Sequence, residues 1–276
     1  MARSLLVDGL VDGLVDGLVD LVLPRVCAGC ARPGAVLCGT CCALLTDLHV
    51  AAPRRHPPGF PPTVAAGRYA GPVRPVVAAF KERGRAELAG PLGAALALAV
   101  AAVLTGPAER PGGPVLLVPV PSSAAAVRRR GRDHVRELAR AAAGDLRRAG
   151  VPARTALVLA RTRGTVDSAG LDAAERRANL AGRFRLRPPR GGWPAGARWV
   201  VVDDVVSSGA TLTEAARVLA AGNGAARPAG PVLAAVVAAT PRRPAVAEGG
   251  RSPAAPGPGR AVTFAVRRAP GAGGRR

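Results

Sequence analysis

Beyond residue 114 the apolar positions fall into two alternating patterns. Short uninterrupted runs at Val115–Val120, Trp199–Val202 and Val232–Ala238 read as strands buried on both faces. Between them, apolar residues three and four apart predict helices over Asp133–Arg148 and Thr211–Ala221, with a shorter one at Asp172–Asn179. Ala156–Leu159 predicts a further, weak strand. Strand and helix in alternation imply an α/β fold, a parallel sheet of about four to six strands flanked by helices.

The upstream half continues this pattern. A strand at Val64–Tyr69 meets a Gly71-Pro72 turn, then a helix runs through Phe80, and an Ala/Leu-rich helix covers residues 86–104. Thr105–Pro114, rich in proline and glycine, reads as a linker. At the start, residues 6–21 repeat L-V-D-G. A glycine in every unit costs ~1 kcal/mol against alanine, so this leader is expected to pack on the body of the protein to become ordered. Residues 241–276 are mostly Pro, Gly, Ala and Arg and predict a disordered basic tail, with Val262–Val266 as a possible exception. The expected division is a leader at 1–23, a cysteine module and linker at 24–62, the α/β domain at 63–240, and the tail.

Composition changes this picture in two ways. Hydrophobic residues make up 49% and aromatic ones 3%, so the core must be built from Ala, Val and Leu. Lys81 is the one lysine among 39 basic residues, which with the abundance of Ala, Gly and Pro reads as codon bias. Surface arginine is then a default, although a net charge of +21 still favours nucleic acid and phosphate-rich ligands. The first residues lack a signal-peptide pattern, and no uninterrupted apolar run reaches the roughly 18 residues that span a bilayer. A cytoplasmic chain with no membrane span is expected.

Five cysteines crowd into residues 27–42 and none follows. Cys27-x-x-Cys30 and Cys38-x-x-Cys41 form two knuckle-like pairs that can offer four thiolates to one tetrahedral zinc ion, with Gly29 and Gly39 suited to the turns. A closed sulfur set is structural, not catalytic, and fits a reducing compartment. Cys42 is an alternative to Cys41 as the fourth ligand.

The most specific chemistry lies in W-V-V-V-D-D-V-V-S-S-G-A-T-L, residues 199–212. An apolar strand ends in Asp203 and Asp204, a turn rich in hydroxyls and glycine follows, and a helix begins. Amides from Val206 to Thr211 at a helix N-terminus make an anion site. Ser207, Ser208 and Thr211 add hydroxyls, and Gly209 permits a positive φ. Paired carboxylates would repel a phosphate, so they are expected to face sugar hydroxyls or magnesium. The pattern describes a phosphorylated sugar.

This segment resembles the phosphoribosyl pyrophosphate motif of type I phosphoribosyltransferases, hydrophobic residues followed by D-D-x-x-T-T-G-x-T, with Ser207 and Ser208 for the threonines. Zinc pairs ahead of such a motif resemble the competence protein F (ComF) family. Further matches run over roughly residues 18–240: L-V-L-P-R-V-C-A-G-C, Tyr69-x-Gly71, F-K-E-R-G at 80–84, V-P-V-P at 118–121, R-T-R-G-T-V-D-S-A-G-L at 161–171, E-R-R-A-N at 175–179, and Phe184. Arg132, Asp133 and His134 stand where the family has Phe, Asn and Gln, and Ser168 where glutamine is usual.

The resemblance implies a type I phosphoribosyltransferase-like sheet with a small N-terminal zinc-binding module. It implies that Asp203 and Asp204 bind ribose hydroxyls and act in catalysis. Val205, Val206, Ser207, Ser208, Gly209, Ala210 and Thr211 would form the loop, with Ser207–Thr211 on the 5′-phosphate, and magnesium would accompany the pyrophosphate. It also implies a link to DNA uptake, with single-stranded DNA and uptake proteins as partners. Three functions follow: transfer of ribose 5-phosphate to an amine or base, a noncatalytic accessory of DNA uptake, and a phosphoribosyl pyrophosphate sensor.

Other candidates are weaker. Lys81 offers a compact ammonium to a pyrophosphate oxygen. Val120-Pro121-Ser122-Ser123, just after a strand, could supply backbone amides, that of Ser122 among them, to the pyrophosphate, or be a plain strand-end turn. Arg161, Arg163, Arg176 and Arg177 could close as a hood. His134 reads as a helix-face histidine, with general-base work as the alternative. His49 and His56 read as exposed.

Overall fold

The computed structural model describes residues 25–53, 57–105, 113–162, 182–187, 194, 196–222 and 230–241. The leader at 1–23, the helix expected at Asp172–Asn179, Arg163, Arg176, Arg177, His56, most of the 105–114 linker and all but the first residue of the tail lie outside them.

Six strands form the main sheet in the order β1-β2-β8-β7-β3-β4. These are β1 (His49–Val50), β2 (Thr63–Arg68), β3 (Val115–Pro119), β4 (Ala153–Thr155), β7 (Arg198–Val206) and β8 (Leu233–Ala239). β1 is antiparallel to β2, and every other pairing is parallel. β5 (Leu159–Arg161) and β6 (Phe184–Leu186) make a separate antiparallel pair. The helices are α1 (Gly39–Ala43), α2 (Val73–Glu82), α3 (Ala89–Leu104, led in by a 3-10 turn at Ala86–Leu88), α4 (Ala124–Arg130), α5 (His134–Arg148) and α6 (Ala210–Ala220). The result is an α/β architecture on a mostly parallel sheet, with the cysteines beside its first strands.

Helices cover both faces, as fully apolar strands require. β8 is buried at all seven positions. Residues of α2, α3 and α5 pack with Leu117, Val200, Val202 and Val237 in one core, and α6 packs with Trp199, Val201, Leu116 and Val236 in the other. With few aromatics available, close backbone approach replaces bulk. A side chain at Gly93 on α3 would collide with Ala141 of α5, so the two helices cross at small residues. Ala86–Leu104 is the one described helix long and apolar enough to cross a membrane by length and composition, and half of it is buried inside the protein.

Two expectations are corrected, and one helix is new. The weak strand at Ala156–Leu159 is replaced by β4 and β5 on either side of it. β4 is an edge strand reading Ala-Arg-Thr, held by backbone pairing to β3, so it lacks an apolar signature. α4 begins just after the Val120–Ser123 segment, where the sequence predicts no helix. Ser123 caps it by accepting the Ala126 N–H at 3.1 Å, yet it buries no residue and so has no amphipathic pattern to read. β7 runs four residues past the predicted Trp199–Val202, which relocates the acidic pair.

Candidate functional site

The parallel strands β3, β7 and β8 end along one edge of the sheet. β8 stays paired with β7 as far as Val206 opposite Ala239, whereas β3 leaves at Pro119 opposite Val202. Asp203 and Asp204 therefore lie inside β7, unpartnered by β3. Val205 and Val206, expected in the anion loop, are ladder residues with side chains packed into the two cores. The loop proper is Ser207–Gly209, with both serines exposed and α6 starting at Ala210, a residue before its predicted start.

Among the described residues, the N–H groups of Ser207, Ser208 and Gly209 have no hydrogen-bond partner. Thr211 sits in the first helical turn, where N–H groups have no intrahelical acceptor. Free amides, two exposed hydroxyls and the positive end of a helix dipole favour an anion of phosphate size. Gly209 has φ +78°, and an added Cβ would meet Phe60 ring carbons at 2.9 Å and Pro53 Cγ at 3.0 Å. The proline-rich stretch before β2 thus braces the loop from behind. An apolar groove of about 390 Å³ between Pro58, Phe60, Thr213, Ala216, Arg217 and Val232 lies along α6, away from the carboxylates.

Asp204 is 4% exposed and its oxygens are taken. Oδ1 accepts the Val205 N–H at 2.8 Å, and Oδ2 receives Lys81 Nζ at 2.8 Å and His134 Nε2 at 3.1 Å. Burial alone would raise its pKa, but the His134 hydrogen bond and the Lys81 charge outweigh burial and hold it below the usual carboxylate range. Asp203 is half-buried, accepts the Asp204 N–H at 2.9 Å, and joins no ion pair among the described residues. Burial, and then the Asp204 charge, push its pKa well above the usual value. Burial lowers the Lys81 pKa, and the Asp204 charge more than reverses this. Of the two acids, Asp204 is an anchor, and Asp203 is the one with no ion pair among the described residues. A magnesium ion, which seeks oxygen ligands, fits Asp203 and does not fit Asp204 as it stands.

His134 is buried at 3% exposure, where the sequence suggested a helix-face side chain. Its Nδ1 lies 3.4 Å from Arg130 Nη1, and Arg130 is held by Glu82 through Nη2 at 2.9 Å and Nε at 3.2 Å. Glu82 follows Lys81 in α2, so the network Lys81–Asp204–His134–Arg130–Glu82 closes on itself. Glu82 lies in the F-K-E-R-G segment, but the sequence assigns a role neither to it nor to Arg130. Their signal is tertiary, since Arg130 ends α4 and His134 opens α5, so their spacing of four is not a turn of one helix. Arg132 stacks on Phe80, 4.3 Å from the ring centroid, and pairs with Glu137. Ser122 Oγ donates to Asp133 Oδ1 at 3.2 Å, and Asp133 caps α5. Arg161 lies 5.9 Å from the Phe184 ring centroid, and the His49 ring is bonded to the Asp47 carbonyl at 2.7 Å.

The second site is the cysteine cluster. The Sγ atoms of Cys27, Cys30, Cys38 and Cys41 all lie within 4.8 Å of one another, with Cys30 and Cys38 at 3.6 Å. Tetrahedral zinc with Zn–S bonds of ~2.3 Å needs sulfurs about 3.8 Å apart, so the group fits such an ion. Cys41, and not Cys42, belongs to it. Burial opposes ionisation of Cys27, but backbone N–H groups led by that of Cys38 bring its thiol down to about 6. Burial and the neighbouring sulfurs push Cys41 up. Four thiolates at this spacing would need a cation beside them, and a zinc ion would supply it. A Cβ at Gly29 would meet Cys41 Sγ at 2.7 Å and the Pro72 carbonyl at 3.2 Å, whereas one at Gly39 would meet nothing, so only Gly29 is required. Arg85 Nη1 donates to the Val26 carbonyl at 2.9 Å. The first knuckle thereby touches the protein at both ends of α2.

Comparison with protein-family models, with curated proteins and with solved structures finds no match to this chain.

Proposed function

We propose that this is a phosphoribosyltransferase-type protein of the ComF kind, which binds phosphoribosyl pyrophosphate with magnesium and transfers its ribose 5-phosphate to an amine or base. The observation that carries the reading is the edge of β7. Among the described residues, a half-buried acid without an ion pair, Asp203, is followed beyond the end of the strand by three free amides, those of Ser207, Ser208 and Gly209, at the amino end of α6. Sugar hydroxyls suit Asp203, and the 5′-phosphate suits Ser207–Thr211. Transfer breaks the bond between the sugar C1 and pyrophosphate, forms one to the acceptor nitrogen, and releases pyrophosphate. Asp203 and the buried charge of Asp204 favour the positive character that develops on the ribose, and the metal would neutralise the departing pyrophosphate. Asp204, expected to face the ribose directly, supports this from behind while Lys81 and His134 occupy it.

Calorimetric titration of phosphoribosyl pyrophosphate with magnesium tests the reading. Saturable one-to-one binding that is lost in Gly209→Val supports it, and no heat up to about 1 mM ligand rejects it. Pyrophosphate release with candidate nucleobases then separates an enzyme from a sensor that binds without turnover.

A further inference from the structure

The resemblance and the motif leave His134 without a task, yet it is among the most buried polar side chains described. Both of its ring nitrogens are engaged. Nδ1 faces Arg130, a cation that can only donate, so Nδ1 accepts and the ring proton sits on Nε2, aimed at Asp204 Oδ2. Phe80 meets the ring edge-on at 6.3 Å between centroids and limits its rotation. Arg130 in turn is fixed by two bonds to Glu82. A ring held from three sides is poorly placed to shuttle protons and well placed to hold one carboxylate.

We propose that His134 is a positioning residue of the anion site: it keeps Asp204 anchored so that Lys81 is free to leave Asp204 for a bound phosphate oxygen. The inference rests on the preceding reading that the β7 edge binds a phosphorylated sugar. Lys81 is the solvent-facing member, with a third of its side chain exposed against 5% for Asp204. When an anion arrives, an unsupported Asp204 would retain the ammonium, because a buried carboxylate with no other partner is costly. With the Nε2–H and Val205 N–H bonds in place, Asp204 remains bonded after the exchange. Arg130 and Glu82 act one step further back, by orienting the imidazole.

The test uses the full chain and phosphoribosyl pyrophosphate with magnesium as the probe. His134→Gln keeps a side-chain N–H for Asp204, and His134→Leu fills similar volume with no donor. The expected result is binding weakened about tenfold or more in His134→Leu and held within about threefold in His134→Gln, at similar thermal midpoints. Equal weakening in both variants, or none in either, overturns the inference. A wild type that binds no phosphoribosyl pyrophosphate overturns the anion-site reading and this role with it, and is told apart by that blank titration. Should His134→Leu fail to fold, nitrogen-15 NMR of the ligand-free wild type decides the matter: a slowly exchanging Nε2 proton is expected, and an Nδ1–H tautomer or an Nε2 proton exchanging at the solvent rate overturns the inference.

Discussion

Lys81 Nζ lies 2.8 Å from Asp204 Oδ2, an ion pair whose acidic member is buried while its basic member reaches the surface. The sole lysine of the chain thus answers the most buried acid of the sheet edge. A guanidinium carries its charge in a larger plane and would not enter the same gap without moving His134.

Lys81→Met should destabilise the protein by about 2 kcal/mol, less than a fully buried pair would because His134 continues to hold Asp204. Urea denaturation measures it. Lys81→Arg is expected to restore less than half of the loss, and full recovery would show that charge alone matters.

Gly209→Ala should cost about 1–3 kcal/mol from the positive φ and from contact with Phe60 and Pro53. Phe60→Leu in the same chain is expected to relieve the contact part only. A Gly209→Ala protein as stable as wild type would show that the loop takes another conformation.

The pH dependence of stability should reveal Asp203. Its folded-state pKa lies above the unfolded value, so its contribution to stability is present below the unfolded carboxylate value of roughly 4 and is lost as pH rises toward the folded one. Asparagine does not ionise. Asp203→Asn should therefore raise the thermal midpoint at pH 7 by a few degrees and leave it unchanged near pH 3. A variant less stable at pH 7 would show that the charge is satisfied by a partner.

Removal of the metal should be felt in α2, since the first knuckle touches Pro72 and, through Val26, Arg85. Chelation or Cys41→Ser is expected to lower the thermal midpoint by about 10 °C and to speed amide exchange across Val73–Glu82. Cys42→Ser should retain one zinc per chain by elemental analysis. Loss of zinc from Cys42→Ser would reassign the fourth ligand.

The buried strands and amphipathic helices were legible because each carries its own period. Val115–Pro119, α5, α6 and β8 fall within a residue or two of their expected bounds. β4 and α4 were not, because one is held by backbone bonds to a neighbour and the other buries nothing. The acidic pair and the cysteine spacing were equally plain, since adjacency in sequence nearly fixes adjacency in space for residues 203–211 and 27–41.

The sequence alone determined the α/β class, the cysteine pairs and the acid–hydroxyl–glycine turn, all of which follow from local periodicity and short-range spacing. Tertiary contacts alone make Asp204 an anchor, leave Asp203 without an ion pair among the described residues, place Cys41 and not Cys42 in the cluster, and bring His134 to Asp204 across 70 residues. Those outcomes depend on which elements the sheet brings side by side. A carboxylate's charge and reach are set by the neighbours that bury and bond it, and no spacing along the chain encodes them.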